Sequence, residues 1–115
     1  VDYLNAHGTS TPAGDPIELN AIKSVFKDNI PIVSSTKSLT GHTLGAAGVQ
    51  ECIYSILMMN GNFIAGNKNL TDPIPEADGI NIPEKSLEKE FDSFMSNSFG
   101  FGGTNVSLVL SKFKN

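Results

Sequence analysis

Two histidines, His7 and His42, are the side chains of this sequence best suited to proton-transfer or hydrogen-bond chemistry. Each lies in a polar, glycine-containing segment that directly follows a short apolar run, and loops in such positions often carry binding residues. Because neighbouring parallel strands end at the same edge of a sheet, we expect the two imidazoles to converge in space. The same positions would also suit structural histidines that hydrogen-bond to loop backbone.

A lysine, Lys37, lies between the two histidines among serines and threonines. A buried lysine must be paired, and we predict Glu18, on the preceding helix, as its carboxylate partner. The alternative is a solvated surface lysine. Glu18 also has a structural explanation, because it stands three residues after Asp15, which can cap the helix.

Several common sites are not indicated by the remaining motifs. The glycine-rich segment 41–48 fits neither GxGxxG nor a P-loop, and no GxSxG surrounds a serine. Cys52 lies in an apolar helical segment typical of core thiols, and no CxxC or HExxH spacing joins it to a histidine. The segment 99–105 places two aromatic residues between glycines, which predicts either a ligand-facing turn or a tight hairpin with a hydrophobic plug.

Length and composition indicate one globular domain. The chain has 115 residues, a formal net charge of −4 and 39% hydrophobic residues, which fits one core and argues against a nucleic-acid binder. Its longest apolar stretch, residues 44–59, contains glycines, Gln50 and Glu51, so no membrane segment is predicted. One cysteine cannot form an internal disulfide, which favours a reducing compartment. The opening run reads as a strand already under way, so we expect a piece of a longer chain.

The elements that must position these residues follow the order β-α-β-α-β-β, which predicts an α/β fold. Predicted strands cover residues 1–6, 31–34, 91–97 and 106–110, predicted helices cover 16–26 and 44–60, and residues 98–103 form a glycine-rich turn. The second helix is apolar nearly all round and is therefore expected in the interior. Residues 61–90 are predicted to be mostly surface connection, with a short strand candidate at 80–82.

Three motifs together resemble the carboxy-terminal part of a β-ketoacyl-acyl-carrier-protein synthase. They are NAHGTSTPAGD at 5–15, KSLTGHTLGAAG at 37–48 and NSFGFGGTN at 97–105, and they occur in the family's order. The resemblance extends from Val1 to the end of the chain. The segments GVQE at 48–51 and MSNS at 95–98 are more similar to synthase I than to synthase II.

The resemblance implies a thiolase-like fold, in which two similar βαβαβαββ halves form layers of helix and sheet. Residues 1–115 would be a partial carboxy-terminal domain, lacking the opening strand and helices of the second half and all of the first half. It further implies a cytoplasmic homodimer that extends fatty acyl chains by decarboxylative Claisen condensation. The partner would be acyl carrier protein, whose phosphopantetheine carries the acyl and malonyl groups, and the enzyme itself would need no metal or dissociable cofactor.

Site residues follow from the resemblance by motif position. It implies that His7 and His42 are the catalytic histidines, that Lys37 is the active-site lysine and that Glu18 pairs with it. Thr9 and Thr11 match residues that hydrogen-bond the pantetheine arm. Phe99 and Phe101 match aromatic residues that gate the acyl pocket, and the Phe101 N–H matches an oxyanion-hole donor. The family's nucleophilic cysteine belongs to the first half, so this fragment alone is predicted to be inactive.

Three related classes remain as alternatives. A non-catalytic partner such as a chain-length factor would keep the fold but lose the nucleophile, although the retained histidines and Lys37 argue against it. A polyketide-synthase ketosynthase domain would also suit the GDPIE segment at 14–18. Thiolases share a similar glycine-rich histidine loop but lack the combination of the HGTST and FGFGG segments.

Overall fold

A four-stranded mixed sheet forms the centre of the computed structural model, which describes residues 1–67 and 74–114. The elements are β1 (Tyr3–Asn5), α1 (Gly14–Phe26), β2 (Ile32–Ser34), α2 (Lys37–Thr40), α3 (Ala47–Gly61), β3 (Phe63–Ile64), β4 (Leu87–Glu88), β5 (Ser93–Phe99) and β6 (Asn105–Ser111). Short 3₁₀ turns cover Leu44–Ala46, Pro75–Ala77 and Phe101–Gly103.

The strand order in the sheet is β2-β1-β5-β6, and β3 pairs with β4 in a separate two-stranded ribbon. Strand β1 is parallel to both of its neighbours, with Asn5 level with Ser34 on one side and Ser96 on the other. Strand β6 returns antiparallel to β5. Three parallel strands therefore end at one edge of the sheet, as the βα order of the sequence predicted.

Alternate residues of the central strand build two apolar clusters, because successive side chains of a strand point to opposite faces. Tyr3 is fully buried in a cluster with residues of α3, and Leu4 is fully buried in a cluster with Ile22 of α1. The first cluster contains Tyr3, Met58, Met59, Ile64, Phe91 and Phe94, and the second contains Leu4, Ala6, Ile22 and Val33. The sheet thus lies between a helix on each face.

The predicted interior position of the second helix is only half right. Helix α3 buries Met58 and Met59, but Val49, Ile53 and Leu57 are 66%, 48% and 58% exposed. These three residues recur every four positions and form one uncovered apolar stripe. Cys52, predicted as a core thiol, is half-buried at the margin of the first cluster.

Other element boundaries also differ from the sequence prediction. The cap of α1 is Ala13, and Asp15 lies inside the first turn, where its Oδ1 accepts the Ser10 N–H at 3.2 Å. The β3–β4 ribbon was not predicted. The candidate at 80–82 is not a strand, although the Val33 N–H donates to the Asn81 carbonyl at 3.0 Å. Within the predicted surface connection 61–90, residues 68–73 lie outside the described part of the chain.

Candidate active site

The carboxyl ends of β1, β2 and β5 bring His7, His42 and Phe99 together. The ring centroids of the two histidines are 5.6 Å apart with the planes nearly perpendicular. The Phe99 ring lies 5.5 Å from that of His7. The sequence-based expectation that the imidazoles converge therefore agrees with the structure.

The loop after α2 fixes the tautomer of His42. The Leu44 N–H donates to His42 Nδ1 at 3.1 Å, so a neutral imidazole carries its proton on Nε2 and can donate it. Leu44 makes this contact with a φ of 56°, a left-handed conformation that is unfavourable for a leucine. The Thr43 hydroxyl donates to Gln50 Oε1 at 2.6 Å and ties the same loop to α3.

The environment of His7 favours the neutral imidazole. Burial lowers its pKa below the ordinary histidine value, and the Lys37 ammonium and His42 act in the same direction, whereas Asp15 opposes them. Within the described chain, the buried His7 Nδ1 has no hydrogen-bond partner. An uncharged imidazole at neutral pH with an unused nitrogen is suited to binding a polar group of a ligand.

Glu18 does not pair with Lys37, and that prediction is wrong. Its Oε1 accepts the His7 N–H at 2.8 Å and its Oε2 accepts the Gly8 N–H at 2.9 Å. The carboxylate therefore closes the backbone turn that follows β1. Burial raises the pKa of Glu18, while the two backbone N–H groups and the Asn97 side chain act in the opposite direction.

The partner of Lys37 is Glu51, which the sequence reading did not identify. Lys37 Nζ bonds Glu51 Oε1, and both side chains are almost completely buried. Lys37 lies in the first turn of the short helix α2, not in an irregular loop, and Glu51 lies in α3. The available signal was an acidic residue inside an otherwise apolar helix, because a buried carboxylate needs a buried cation.

A fully buried asparagine connects this ion pair to the sheet. Asn5 Nδ2 donates to Ser55 Oγ at 3.1 Å and to the Glu51 carbonyl at 3.4 Å, and Asn5 Oδ1 accepts the Thr36 N–H at 3.4 Å. The side chain of Asn5 therefore joins β1 both to α3 and to the residue that precedes Lys37.

A cavity of about 600 Å³ opens beside the two imidazoles. The predicted substrate-binding residues Thr9, Thr11, Phe99 and Phe101 all line it, and Phe101 is 92% exposed at its edge. One wall of the cavity is lined by residues with small or no side chains near the start of α3, namely Gly45, Ala47 and Gly48. Lys37 and Glu18 do not line this cavity. Glu18 contacts the backbone of His7 and Gly8, and Lys37 is buried against Glu51.

Comparison with known proteins decides the family. Residues 1–71 match the family model described as "Beta-ketoacyl synthase, C-terminal domain". The chain belongs to the β-ketoacyl synthase family. It is 55% identical over 99% of its length to 3-oxoacyl-[acyl-carrier-protein] synthase 1 of Escherichia coli K12, and it spans 28% of the length of that relative.

Solved ketosynthase structures share the fold of this β-ketoacyl synthase chain. A structure named the ishigamide ketosynthase/chain length factor superposes with a TM-score of 0.93 at 31% identity, over 99% of this chain and 28% of that one. A type II polyketide-synthase acyl-carrier protein in complex with its ketosynthase gives 0.91 at 31% identity, over 98% and 28% of the two chains. The predicted α/β, thiolase-like fold is confirmed.

In residues 1–67 and 74–114, no cluster of three histidine, cysteine or acidic residues is arranged to hold a metal ion. None of the helices described in those ranges is long and apolar enough to cross a membrane.

The two bonds that Glu18 accepts from the backbone of His7 and Gly8 predict a contribution to the stability of the intact protein. In the intact synthase, Glu18→Gln places an amide N–H₂ against one of the two backbone N–H donors, so we expect a loss of about 1–3 kcal/mol in unfolding free energy. The midpoint of thermal unfolding of the intact protein should fall accordingly. Asp28→Asn, on an exposed residue after α1, is the control and should leave the midpoint unchanged. A midpoint for Glu18→Gln equal to that of the control would contradict this role.

Proposed function

We propose that this chain is the carboxy-terminal part of a β-ketoacyl-acyl-carrier-protein synthase of type I. The intact enzyme extends an acyl chain by two carbons through decarboxylative Claisen condensation. The observation that carries the proposal is the pair of imidazoles at one cavity, with His42 held as an Nε2–H donor and His7 favoured in its neutral form. The identity to a synthase that is itself named for this activity supports it.

The proposed chemistry needs hydrogen-bond donors that are not charged. As the malonyl group loses CO₂, its electron pair moves toward the thioester carbonyl and negative charge builds on that oxygen. N–H groups of His7 and His42 stabilise this oxygen, and such a donor is typically worth about 3–4 kcal/mol in the transition state. Two charged imidazolium rings would instead hold the malonyl carboxylate in the ground state and slow its loss.

Other residues take supporting roles in this proposal. Thr9 and Thr11 hydrogen-bond the pantetheine arm, and Phe99 and Phe101 gate the acyl pocket, with the Phe101 N–H as an oxyanion-hole donor. Their place around the cavity supports these roles. Lys37 orders the site and lowers the pKa of His7, and Glu18 holds the backbone of the His7 loop. The nucleophilic cysteine is supplied by another part of the intact protein, because Cys52 does not line the cavity.

The proposed partner is an acyl carrier protein that bears the acyl and malonyl groups on its own phosphopantetheine, so the synthase needs no cofactor. The solved ketosynthase in complex with an acyl-carrier protein supports this partner. We further propose a cytoplasmic homodimer in which residues 1–115 form a partial carboxy-terminal domain.

The test is a two-step assay on the intact protein. It is incubated first with an acyl-carrier-protein thioester, and peptide mass spectrometry locates the acylated residue. It then receives malonyl-acyl-carrier protein, and released CO₂ is measured. We expect acylation of a cysteine outside these 115 residues, followed by CO₂ release and a β-ketoacyl product. Absence of both acylation and CO₂ release would indicate the non-catalytic chain-length factor instead, and acylation of Cys52 would contradict the division of roles.

A further inference from the structure

The turn that leads into Lys37 is held by a side chain from a distant segment. Strand β2 faces β1 on one side, and on its outer side the Val33 N–H donates to the Asn81 carbonyl at 3.0 Å. The next N–H on that side belongs to Ser35, beyond the end of the strand. It donates to Asn67 Oδ1 at 3.0 Å. A side-chain amide therefore satisfies a backbone donor that the sheet leaves free.

Asn67 is itself fixed in orientation by one carbonyl. Its Nδ2 donates to the Pro83 carbonyl at 3.1 Å, and its backbone N–H donates to the same oxygen at 2.8 Å. The preceding residue, Gly66, allows the two segments to approach, because a Cβ there would lie 2.4 Å from the Lys85 carbonyl carbon. The Asn67 side chain thus donates from Nδ2 to the carbonyl of the buried Pro83, and its Oδ1 accepts the Ser35 N–H.

Ser35 passes this constraint to the His7 loop. Its hydroxyl donates to the Gly8 carbonyl at 3.4 Å. Gly8 has a φ of 43°, and a Cβ at this position would lie 2.7 Å from the Cβ of Ser35, so the two residues pack closely. Ser35 therefore lies two residues before Lys37 in the sequence. It packs directly against Gly8, the residue that follows His7.

From these contacts the structure assigns Asn67 the role of a positioning residue, which holds Lys37 and His7 in their working geometry through Ser35. The role rests on the proposed function, since it presupposes that His7 and Lys37 serve decarboxylation. Asn67 touches neither the cavity nor the imidazoles and acts only through backbone placement. Small displacements of reacting groups have large effects on rate, because a misplacement of about 1 Å can lower a rate about 10²-fold.

The test is the pH dependence of malonyl-acyl-carrier-protein decarboxylation by the intact protein carrying Asn67→Ala. We expect kcat to fall about tenfold with little change in KM. We also expect the acid limb to move to higher pH. Lys37 is one of the groups that lower the pKa of His7, together with burial and His42 and against Asp15, so a displaced lysine lowers it less.

Ser86→Ala is the matched control. The Ser86 hydroxyl accepts the Gly66 N–H at 3.1 Å, so this variant loosens the same two segments without touching Ser35. It should lower the thermal midpoint and leave kcat and the acid limb unchanged. If it reproduced the kinetic changes of Asn67→Ala, or if Asn67→Ala kept the unmodified pH profile, the assignment would be wrong.

A second variant serves if Asn67→Ala does not fold. Ser35→Ala removes the hydroxyl bond to Gly8 and leaves the bond from its N–H to Asn67. It should shift the acid limb in the same direction by a smaller amount. Where Asn67→Ala does fold, the effects of the two substitutions in the double variant should be less than additive. An unshifted limb in Ser35→Ala would overturn the assignment. Absence of decarboxylation in the unmodified protein would instead overturn the proposed function, which separates the two failures.

Discussion

Replacing His42 with alanine in the intact protein is expected to lower the rate of malonyl decarboxylation by about 10²–10³-fold. The acylation of the cysteine by an acyl-carrier-protein thioester should change much less, because that step needs no donor to the malonyl thioester oxygen. His7→Ala should act in the same way. The two half-reactions are measured separately, as CO₂ release and as acyl-enzyme formed.

The control for this prediction is His42→Gln, which keeps a neutral N–H donor at this position. It should retain a larger part of the decarboxylation rate than the alanine variant. Thermal unfolding must show that all variants are folded. Equal losses in the acyl-transfer and decarboxylation steps would show that His42 does not have the specific role proposed for it.

Removing the Glu51 carboxylate is expected to destabilise the protein strongly. Glu51→Ala leaves the buried ammonium of Lys37 without its counter-ion, and breaking such a pair typically costs about 3–5 kcal/mol. We expect a corresponding loss in the denaturant unfolding of the intact protein. Burial raises the pKa of Glu51, although the Lys37 ammonium opposes the shift.

Two further variants distinguish the ion pair from loss of packing. Lys37→Met combined with Glu51→Leu removes both charges at similar volume and should recover most of the stability, because neither charge is left alone. Glu84→Ala, on an exposed glutamate, should have almost no effect. A double variant as unstable as Glu51→Ala would show that packing, not charge pairing, dominates at this position.

The sequence was sufficient to predict the edge of the sheet where the histidines meet. Strand β1 ends just before His7, and the rule that parallel strands end together places the later segments at the same edge. Strands and helices have hydrophobic patterns with periods of two and of nearly four residues. These patterns depend only on nearby residues, so β1, β5 and α3 could be predicted from the sequence. The boundaries moved by a few residues because strand ends depend on their neighbours.

The charge partner of Lys37 could not be predicted in the same way. Glu18 and Glu51 are both acidic residues on helices near Lys37 in sequence, and no periodicity states which carboxylate reaches which cation. The three-dimensional path of the chain decides, because Glu51 of α3 contacts Lys37 of α2 whereas Glu18 faces the backbone of His7 and Gly8. The ribbon of β3 and β4 escaped prediction because each strand has only two residues.

The pairing of β1 with β5 has a consequence for how the site forms during synthesis. Asp2 Oδ2 accepts the Ser93 N–H across 91 positions of sequence, so the contact order of this half of the sheet is high. A ribosome adds those residues in about 5–20 s. During that time β1 can pair with β2 but presents its other edge unpaired, and Phe99 is not yet available to pack on His7. The imidazole pocket is therefore completed only after β5 has been synthesised and has paired with β1.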